Sequence, residues 1–417
     1  GTPIFDANYT YTTKSGVKVG FFGMETPETQ TKTNPALIKG LKFDTELAKV
    51  GEKQVAALKD ADIVICLAHL GVDESSEPYT SYELYKNVKG IDFIIDGHSH
   101  TVMTKGPNGE PIQSTGTAFQ NIGVIVIDDA SKKIESNSLF EIKDDTAKDA
   151  AVSAAAQKIV DRVNAEYGAK FAISKVELNG AKAPNGNRDV ETNNGDLITD
   201  AMLWKVLQNK DGLTVNEDHV VAMTNGGGIR AAIKPGDVTK KDINTVLPFG
   251  NTVAVIYVTG AELLEALEAS TYSLPVGGFP QVAGINFTLS TAVAYDANAE
   301  TYPASTYYGP KSINRVVINS INGKEFKADD TYAVVTNNFV AGGGDTYYAF
   351  AAASAQFDTG IPLDEAVMEY VTTELKGVIG EQYAAPQGRI LLNPFKDVKV
   401  SSWFGKYVID LYNDGII

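Results

Sequence analysis

Strands alternate with helices along the first 145 residues, and this rhythm limits the possible folds more than any other feature of the sequence. Apolar runs typical of buried strands occur at GVKVGFFGM, ADIVICLAHLG, GIDFIIDGHSH and TAFQNIGVIVIDD. The helical segment DTELAKVGEKQVAALKD separates the first two runs. Strand, helix and strand in this order predict an α/β layered structure for residues 1–145.

The rest of the sequence divides by composition into three parts. Residues 146–170 are rich in alanine and are predicted to form a linker helix. Residues 171–393 combine glycine-punctuated strands with the predicted helices GDLITDAMLWKVLQN and TGAELLEALEAS, which indicates a second α/β domain. Residues 394–417 form a separate segment. A chain of 417 residues with 43% hydrophobic content can give each domain a core.

The charge balance excludes several kinds of partner. Thirty-six basic and 52 acidic side chains give a net charge of −16, which repels nucleic-acid backbones and anionic membranes. A small anionic substrate therefore needs its own arginines. No apolar run approaches the roughly 20 residues of a transmembrane helix. The chain begins at Gly1 without a methionine, so we expect a processed product or a fragment.

Histidines cluster where two predicted strands end. The sequence has four histidines, of which His69 follows ADIVICLA, and His98 and His100 follow GIDFIID. Because side chains at the carboxyl ends of strands in α/β proteins meet in a crevice, these three imidazoles could share one or two divalent ions. Ordinary hydrogen-bonded histidines are the equal alternative on spacing alone. His219 precedes a strand in the second domain and is interpreted as structural.

Several loops of the second domain have residues suited to an anionic or aromatic ligand. NGGGIR places three glycines, which permit positive φ and close backbone approach, between Asn225 and Arg230. The planar guanidinium of Arg230 suits phosphate oxygens, although a tight turn with a solvated arginine is the alternative. Phe249 in LPFG and Phe339 in NNFVAGGGD are core side chains by ordinary expectation. NGD, residues 194–196, is predicted to cap the helix that follows it.

These motifs, in order, resemble the 5′-nucleotidase / 2′,3′-cyclic phosphodiesterase / UDP-sugar hydrolase family. VKVGFFGMETPET, CLAHLG and GHSHT are similar to the second half of its dinuclear metallophosphatase domain. ETNNGDLITDAML, TNGGGIRAAIKPGDVTKKDINTVLPFGNTVAVIYVTGAELLEAL, FPQVAGINF and NNFVAGGGDTYY are similar to its nucleotide-binding domain. The likeness covers roughly residues 15 to 392. It implies a partial four-layer metallophosphatase sandwich, a linker helix and an α/β 5′-nucleotidase C-terminal domain.

The resemblance also implies roles for individual residues. His69 and His98 would ligate one metal ion and His100 the other. Arg188 and Arg230 would contact phosphate, and Asn225 would reach the base or the ribose. Phe249 and Phe339 would stack on the two faces of a nucleobase, and Asp345 would accept hydrogen bonds from ribose hydroxyls. The expected ligand is a nucleotide or a nucleoside.

Three motifs of the family are missing from this sequence. A D-x-H motif, a bridging aspartate and an N-H-D/E motif, which by resemblance supply further ligands and the catalytic histidine, do not precede GVKVGFFGM. No catalytic residue is therefore assigned. A complete member would hold two divalent ions, Zn or Mn, whereas at most one is expected here. A missing N-terminal fragment could associate with the chain and supply the rest.

Residues 394–417 resemble the start of an S-layer homology module. The matching positions are Phe395, Asp397, Val398, Trp403, Tyr407, Tyr412, Gly415, Ile416 and Ile417. The resemblance implies binding to a cell-wall polymer and an extracellular location at the bacterial cell surface. The alternative is a C-terminal helix docked on the second domain, since Trp403, Tyr407, Val408 and Leu411 recur at helical spacing.

The predicted function is the metal-dependent hydrolysis of nucleoside phosphate esters. The sequence does not separate a 5′-nucleotidase from a 2′,3′-cyclic phosphodiesterase or a nucleotide-sugar hydrolase, because by resemblance these activities share the same motifs. Because these three motifs are missing, the chain alone is expected to be inactive or impaired. The alternative is a non-catalytic, nucleoside-binding protein of the cell surface.

Overall fold

The structure, a computed structural model, describes residues 5–32, 38, 40–293, 314–351, 353, 355–413 and 415–417. It divides into two compact units. Unit 1 contains the described residues up to Gln30 and from Gly40 to Ala150. Unit 2 contains those from Ala151 to Ile417, together with the described part of residues 31–39. Each unit has its own core, and each is described by itself.

Unit 1 contains the elements that the alternating pattern predicts. Its strands are β1 (Asn8–Thr12), β2 (Lys18–Glu25), β3 (Ile63–His69), β4 (Phe93–Asp96), β5 (Val102–Met103), β6 (Ile112–Thr115), β7 (Asn121–Asp128) and β8 (Lys133–Glu141). Its helices are α1 (Thr29–Lys32), which runs to the boundary of the unit, α2 (Leu47–Ala57) and α3 (Ser81–Asn87). The four predicted strands and the predicted helix are confirmed as β2, β3, β4, β7 and α2.

A six-stranded sheet organises unit 1 in the order β1-β2-β3-β4-β6-β5. Strands β2, β3, β4 and β6 are parallel, and β1 and β5 run antiparallel at the two edges. One face packs against α2 and α3 through Phe22, Val64 and Leu84, among others. The other face packs against the two-stranded sheet β7-β8 through Ile65 and Ile125. The described residues of unit 1 therefore form three layers around a mostly parallel sheet.

Unit 2 is the larger unit. Its helices are α4 (Ala150–Tyr167), α5 (Asn193–Leu207), α6 (Lys240–Val246), α7 (Gly260–Ala269), α8 (Asn338–Ala341), α9 (Tyr348–Ala351), α10 (Leu363–Thr373) and α11 (Gly405–Asn413). Its strands are β9 (Lys170–Ser174), β10 (Val220–Asn225), β11 (Gly236–Thr239), β12 (Thr252–Thr259), β13 (Pro280–Ala283), β14 (Ile285–Ser290), β15 (Val316–Ile321), β16 (Thr331–Asn337), β17 (Ala355–Pro362), β18 (Val378–Ile379) and β19 (Ile390–Asn393).

A five-stranded mixed sheet, β13-β10-β16-β12-β17, forms the centre of unit 2. Strands β10 and β16 lie side by side in parallel, so their carboxyl ends, Asn225 and Asn337, meet at one edge of the sheet. A core that includes α5 and α10 covers one face, and a second core that includes α7 and α8 covers the other. Two three-stranded sheets, β11-β9-β18 and β15-β14-β19, complete the unit.

The start of α5 differs from the sequence prediction. The cap is Thr192, whose hydroxyl accepts a hydrogen bond from the Gly195 backbone N–H at 3.1 Å. Asn194 and Asp196 are then inside the helix, and both are buried. The prediction that residues 194–196 cap this helix was therefore wrong by about half a turn, although the acidic residue Asp196 does lie in its first turn. The Thr192 hydroxyl also donates a hydrogen bond to Oδ1 of Asn187, and this bond fixes the preceding loop.

The alanine-rich segment forms α4, as predicted, and none of its residues is buried. Within the part of the chain that the structure describes, no helix combines the length and apolar character that crossing a membrane requires.

Candidate functional site

Two of the three predicted metal ligands lie side by side in unit 1. His69 ends β3, and His98 follows β4, the next strand of the parallel sheet. Their ring centroids are 5.1 Å apart. Gly97 allows this approach, because a Cβ there would lie 3.2 Å from Nδ1 of His69. His100 lies two residues beyond His98 and is also half-buried.

The backbone at these histidines is strained. His98 has φ of 80° and His100 has φ of 59°, in the left-handed region that side chains other than glycine seldom adopt. Asp96 fixes the turn, since its Oδ1 accepts hydrogen bonds from the backbone N–H groups of Leu70, Gly71 and Gly97. Strain of this kind persists where the surrounding structure over-determines it, which is typical of functional sites.

Glu28 is a member of this cluster that the sequence analysis did not identify. Its Oε2 lies 3.2 Å from Nε2 of His98, and its side chain is buried. Glu28 lies just beyond β2, and the register pairs Glu25 of β2 with His69 of β3. Because parallel neighbours end at the same edge of a sheet, a carboxylate in METPET, shortly after β2, was the signal that could have found it.

The cluster does not amount to a metal centre by itself. Among the described residues, no group of three His, Cys, Asp or Glu side chains is arranged to hold a metal ion. Two adjacent imidazoles, one of them paired with a carboxylate, fall short of the four ligands that a closed zinc site uses. The donor set that the described residues provide therefore does not fit the predicted ions without further ligands.

In unit 2, Asn225 and Asp345 form a buried polar pair. Nδ2 of Asn225 donates to Oδ2 of Asp345 at 2.7 Å, and both side chains are buried. Asp345 has φ of 54°, a conformation that aspartate tolerates better than most residues. A Cβ at Gly277 would lie 3.7 Å from Oδ1 of Asp345, so the 277 loop also borders this carboxylate. Two residues predicted to contact the nucleoside are thus in direct contact.

Arg230 and Phe249 form a second pair of predicted residues. The guanidinium carbon of Arg230 lies 5.6 Å from the centre of the Phe249 ring, a cation–π distance. Nη1 of Arg230 also donates to the Gly227 backbone oxygen at 3.2 Å. The Phe249 side chain is 58% exposed, which is unusual for a large apolar ring and leaves it open to a ligand.

Phe339 has a different environment. It lies on α8 and is 9% exposed, as part of the core that includes α7. A Cβ at Gly344 would come within 2.4 Å of its ring, so the absence of a side chain there lets the ring pack onto the backbone. Phe339 therefore offers a ligand little surface in this arrangement, whereas Phe249 offers much.

The glycines of NGGGIR serve close approach rather than positive φ. A Cβ at Gly226 would lie 1.7 Å from the backbone oxygen of Asn187, and Gly227 donates to the Gly277 oxygen at 2.7 Å. Asn187 precedes Arg188, whose backbone oxygen accepts from Val276 at 3.0 Å. The loops that carry Arg188 and Arg230 are thus joined by backbone contacts. None of the three glycines adopts a positive φ.

Asn337 is the second residue that the sequence analysis missed. Its Nδ2 donates to Oδ1 of Asn225 at 3.1 Å and to Oγ1 of Thr224 at 3.0 Å. Its Oδ1 accepts from the Val340 backbone N–H at 2.9 Å and so caps α8. The signal available in the sequence was its position at the end of an apolar strand, as the first residue of the NNFVAGGGD motif.

His219 has the structural role that was predicted for it. It precedes β10, its ring nitrogens face Asp218 at 2.7 Å and Asp330 at 3.3 Å, and its ring stacks on Tyr332. The hydrogen bond to Asp218 is the main cause that raises the pKa of this imidazole above its usual value. His219 lies apart from the residues predicted to bind a ligand.

Comparison with known proteins identifies the domain in unit 2. Residues 170–352 match the family model described as 5′-nucleotidase, C-terminal domain. The chain is 32% identical over 396 residues to the trifunctional nucleotide phosphoesterase protein YfkN of Bacillus subtilis, and the match covers 90% of this chain and 24% of that protein. The chain thus spans about a quarter of the length of this relative.

Two further proteins match this chain over a larger share of their own length. The 5′-nucleotidase of Vibrio cholerae is 25% identical, over 91% of this chain and 70% of its own length. The crystal structure of a 5′-nucleotidase precursor from Thermus thermophilus superposes with a TM-score of 0.70 and 28% identity, over 93% of this chain and 74% of that chain. The predicted mixed α/β fold, similar to 5′-nucleotidase structures, is confirmed.

Proposed function

We propose that unit 2, in which residues 170–352 match the 5′-nucleotidase C-terminal domain model, binds a nucleoside phosphate for hydrolysis of its phosphate ester. The relatives named above are 5′-nucleotidases and a nucleotide phosphoesterase, which supports nucleotide hydrolysis at the level of the family. The preferred ester, whether a 5′-nucleotide, a 2′,3′-cyclic nucleotide or a nucleotide sugar, is left open by this proposal.

The buried Asn225–Asp345 pair, in the same unit as the exposed Phe249 ring, is the observation that carries the proposal. A nucleoside presents an aromatic base and a ribose with two hydroxyl groups. An exposed ring can stack on the base, and a buried carboxylate can accept hydrogen bonds from the hydroxyls. Stacking reads only the face of the base, so discrimination between bases would be weak.

The two arginines would hold the phosphate. A chain with net charge −16 repels an anion at long range, so binding depends on guanidinium groups placed at the site. Arg230 lies against Phe249, and the loop of Arg188 and the glycines that precede Arg230 both form backbone hydrogen bonds with the loop 276–279. A phosphate attached to a nucleoside stacked on Phe249 would therefore lie within reach of at least one forked, bidentate donor.

Phe339 would complete a clamp with Phe249 only if part of its ring becomes accessible to the ligand. Its small exposed fraction supports contact through an edge or a limited part of one face. The proposal therefore assigns the larger share of the stacking energy to Phe249. Burial of Phe339 explains why a core interpretation of this residue was also reasonable from the sequence.

In a complete family member, two divalent ions such as Zn²⁺ or Mn²⁺ would polarise the phosphoryl group. His69, His98 and His100 of this chain would be among the ligands of these ions. Nε2 of His98 lies 3.2 Å from Oε2 of Glu28, which holds the imidazole in place. Because the described residues do not form a metal site, we derive no catalytic step for this chain alone. This incomplete set is the one observation that favours the second candidate function, a non-catalytic nucleoside-binding protein.

Residues 394–417 would belong to an S-layer homology module, as their sequence suggests. The exposed Trp403 and Tyr407, with 86% and 68% of their surface accessible, are compatible with a surface that is covered by further protein or polymer. An extracellular location at a bacterial cell surface, cell-wall polymer as a partner and association with an N-terminal fragment are parts of this proposal.

Calorimetric titration of the chain with AMP and adenosine tests the binding function. We expect both to bind, and Phe249→Ala to weaken binding of each by about 1–3 kcal/mol, the usual contribution of an aromatic ring stacked on a base. Phe357→Ala is the matched control, because Phe357 is also an exposed phenylalanine of unit 2 but lies on edge strand β17. Absence of binding, or equal losses in the two variants, would exclude the proposed site.

A further inference from the structure

Asn337 lies at a junction of three buried hydrogen bonds beside the proposed site. It ends β16, next to the end of β10, and its side chain is 1% exposed. It caps the helix that carries Phe339, and it contacts Asn225, which in turn contacts Asp345. One amide group therefore connects the residues proposed to bind the base with those proposed to bind the ribose.

The direction of these hydrogen bonds is determined by the backbone. The Val340 N–H can only donate, so the atom of Asn337 that faces it is Oδ1. Nδ2 of Asn337 then faces Asn225, and the atom of Asn225 that accepts from it is Oδ1. Nδ2 of Asn225 is left to donate to the Asp345 carboxylate. Each amide can take only one of its two orientations.

These hydrogen-bond directions matter because a side-chain amide can rotate by 180° with little change in its shape. If the Asn225 amide were reversed, its carbonyl oxygen would face the carboxylate of Asp345 in a buried environment. Two acceptors in contact, with no proton between them, repel each other, and a buried unsatisfied acceptor is destabilising. The carboxylate would then move away from the position where a ribose could use it.

We propose that Asn337 is a positioning residue for nucleoside binding, which orients the Asn225 amide so that Asp345 is held for the ribose hydroxyls. This inference rests on the proposed function of unit 2. Asn337 itself need not touch the ligand, since both of its hydrogen-bonding ends are engaged by protein groups.

The isosteric variant Asn337→Asp separates the two roles of this side chain. A carboxylate oxygen still accepts from the Val340 N–H, so the cap of α8 and the position of Phe339 are retained. The donor to Asn225 is lost, and the Asn225 amide is expected to reverse. Thr224→Val is the matched control, because it removes the other acceptor of Asn337 and leaves the bond to Asn225 in place.

The readout is the preference for adenosine over 2′,3′-dideoxyadenosine, measured by titration calorimetry. Adenosine has the two ribose hydroxyls and the dideoxy compound has neither, so their affinity ratio reports the contribution of Asp345. We expect the unaltered chain to prefer adenosine by about 10-fold or more, as a hydrogen bond to a charged group would give. Asn337→Asp is expected to bring this ratio close to one, and Thr224→Val to leave it unchanged.

A merely structural role predicts a different pattern. If Asn337 only supported the core, its variants would weaken both nucleosides equally and preserve the ratio. Should Asn337→Asp fail to give a cooperative melting transition, Asn337→Ser provides the same test, because its hydroxyl can cap α8 but is too short to reach Asn225. A folded variant with the native ratio would overturn the inference. If the unaltered chain bound neither nucleoside, the proposed function and this inference would both fail.

Discussion

Asp196 is a buried carboxyl group that the proposed nucleotide site does not use. It lies in the first turns of α5 and is 1% exposed. Its charged neighbours are the carboxylates of Glu191 and Asp200 and the guanidinium of Arg389. Burial first, and the Glu191 carboxylate second, raise the pKa of Asp196 to about 8, against the opposing effect of Arg389.

The stability of unit 2 should therefore decrease as the pH rises towards 8. In the unfolded chain Asp196 loses its proton near pH 4, whereas in the folded chain it keeps the proton up to about pH 8. Unfolding thus releases a proton between these values, and the free energy of unfolding falls by up to about 1.4 kcal/mol per pH unit. Below pH 4 the contribution of Asp196 to the free energy of unfolding is fully present, and above pH 8 it is fully lost.

Asp196→Asn should remove this pH dependence. The amide cannot ionise, so the variant is expected to show a flatter profile of unfolding free energy between pH 5 and 8 and to melt above the unaltered chain at pH 8. Urea denaturation at several pH values measures the free energy of unfolding of each protein. Asp329→Asn, on the surface, is the control and should keep the native profile. Parallel profiles for the unaltered chain and Asp196→Asn would contradict the assignment.

Single residues show what the sequence could predict at the site and what it could not. Asn225, Arg230, Phe249 and Asp345 stand in motifs recognisable without a structure, and the fold brings them together in two pairs. Asn337 and Glu28 also lie within quoted motifs, NNFVAGGGDTYY and VKVGFFGMETPET, but the resemblance gave them no role. Their importance depends on which side chains the folded sheets bring next to them, and that information is in the tertiary structure rather than in the local sequence.

Helix α11 also shows which features the sequence could predict and which it could not. Its apolar periodicity predicted a helix, which the structure confirms at Gly405–Asn413. The sequence did not show how the helix is attached. Asn413 pairs with both the backbone N–H and the backbone oxygen of Leu392 at 2.9 Å, in the manner of a neighbouring strand, and Ile409 is buried. Tyr407 and Leu411 of this helix and the preceding Trp403 are exposed, and Val408 is half-buried.

Removal of residues 394–417 should leave both cores of unit 2 intact. Neither core contains a residue beyond Leu392 among those described, so truncation after Asn393 removes mainly the burial of Ile409, about 2 kcal/mol at most. For a domain of this size we expect a decrease in Tm of less than about 8 °C and a cooperative transition. Calorimetric melting of the truncated and full chains compares them.

A large loss of stability on truncation would favour the docked-helix interpretation over the S-layer homology module. Ile409→Ala in the full chain is the control, because it weakens the attachment of α11 without deleting the segment. If truncation lowered the Tm far more than this substitution does, the exposed aromatic side chains of α11 would have a structural role that their exposure in this arrangement does not indicate.

The two units differ in how complete their proposed sites are. Unit 2 brings together, within its own fold, polar and aromatic groups suited to a nucleoside phosphate. Unit 1 brings together His69, His98 and Glu28, which among the described residues form no group able to hold a metal ion. The alternating pattern and the motif order predicted both folds. The relation between binding and catalysis could not be predicted, because it depends on which side chains the fold brings around the metal ions.

The chain alone should therefore bind nucleotides and hydrolyse them little or not at all. A pair of divalent ions needs a bridging carboxylate to offset their mutual repulsion, and among the described residues no group of three His, Cys, Asp or Glu side chains is arranged to hold even one ion. Metal analysis of the purified chain should find at most one weakly held Zn²⁺ or Mn²⁺. AMP, 2′,3′-cyclic AMP and a nucleotide sugar, each assayed with added Zn²⁺ or Mn²⁺, should all be turned over far more slowly than about 10 s⁻¹, the median for enzymes.

The histidines allow residual activity to be assigned to its source. His98→Ala removes one of the two adjacent imidazoles, and His219→Ala is the matched control, since His219 lies in unit 2 between Asp218 and Asp330. Hydrolysis by a trace contaminant would persist in both variants. Turnover near 10 s⁻¹ that is lost in His98→Ala and kept in His219→Ala would mean that this chain holds a working metal centre. The missing motifs would then be dispensable, and the assignment of unit 1 as incomplete would be wrong.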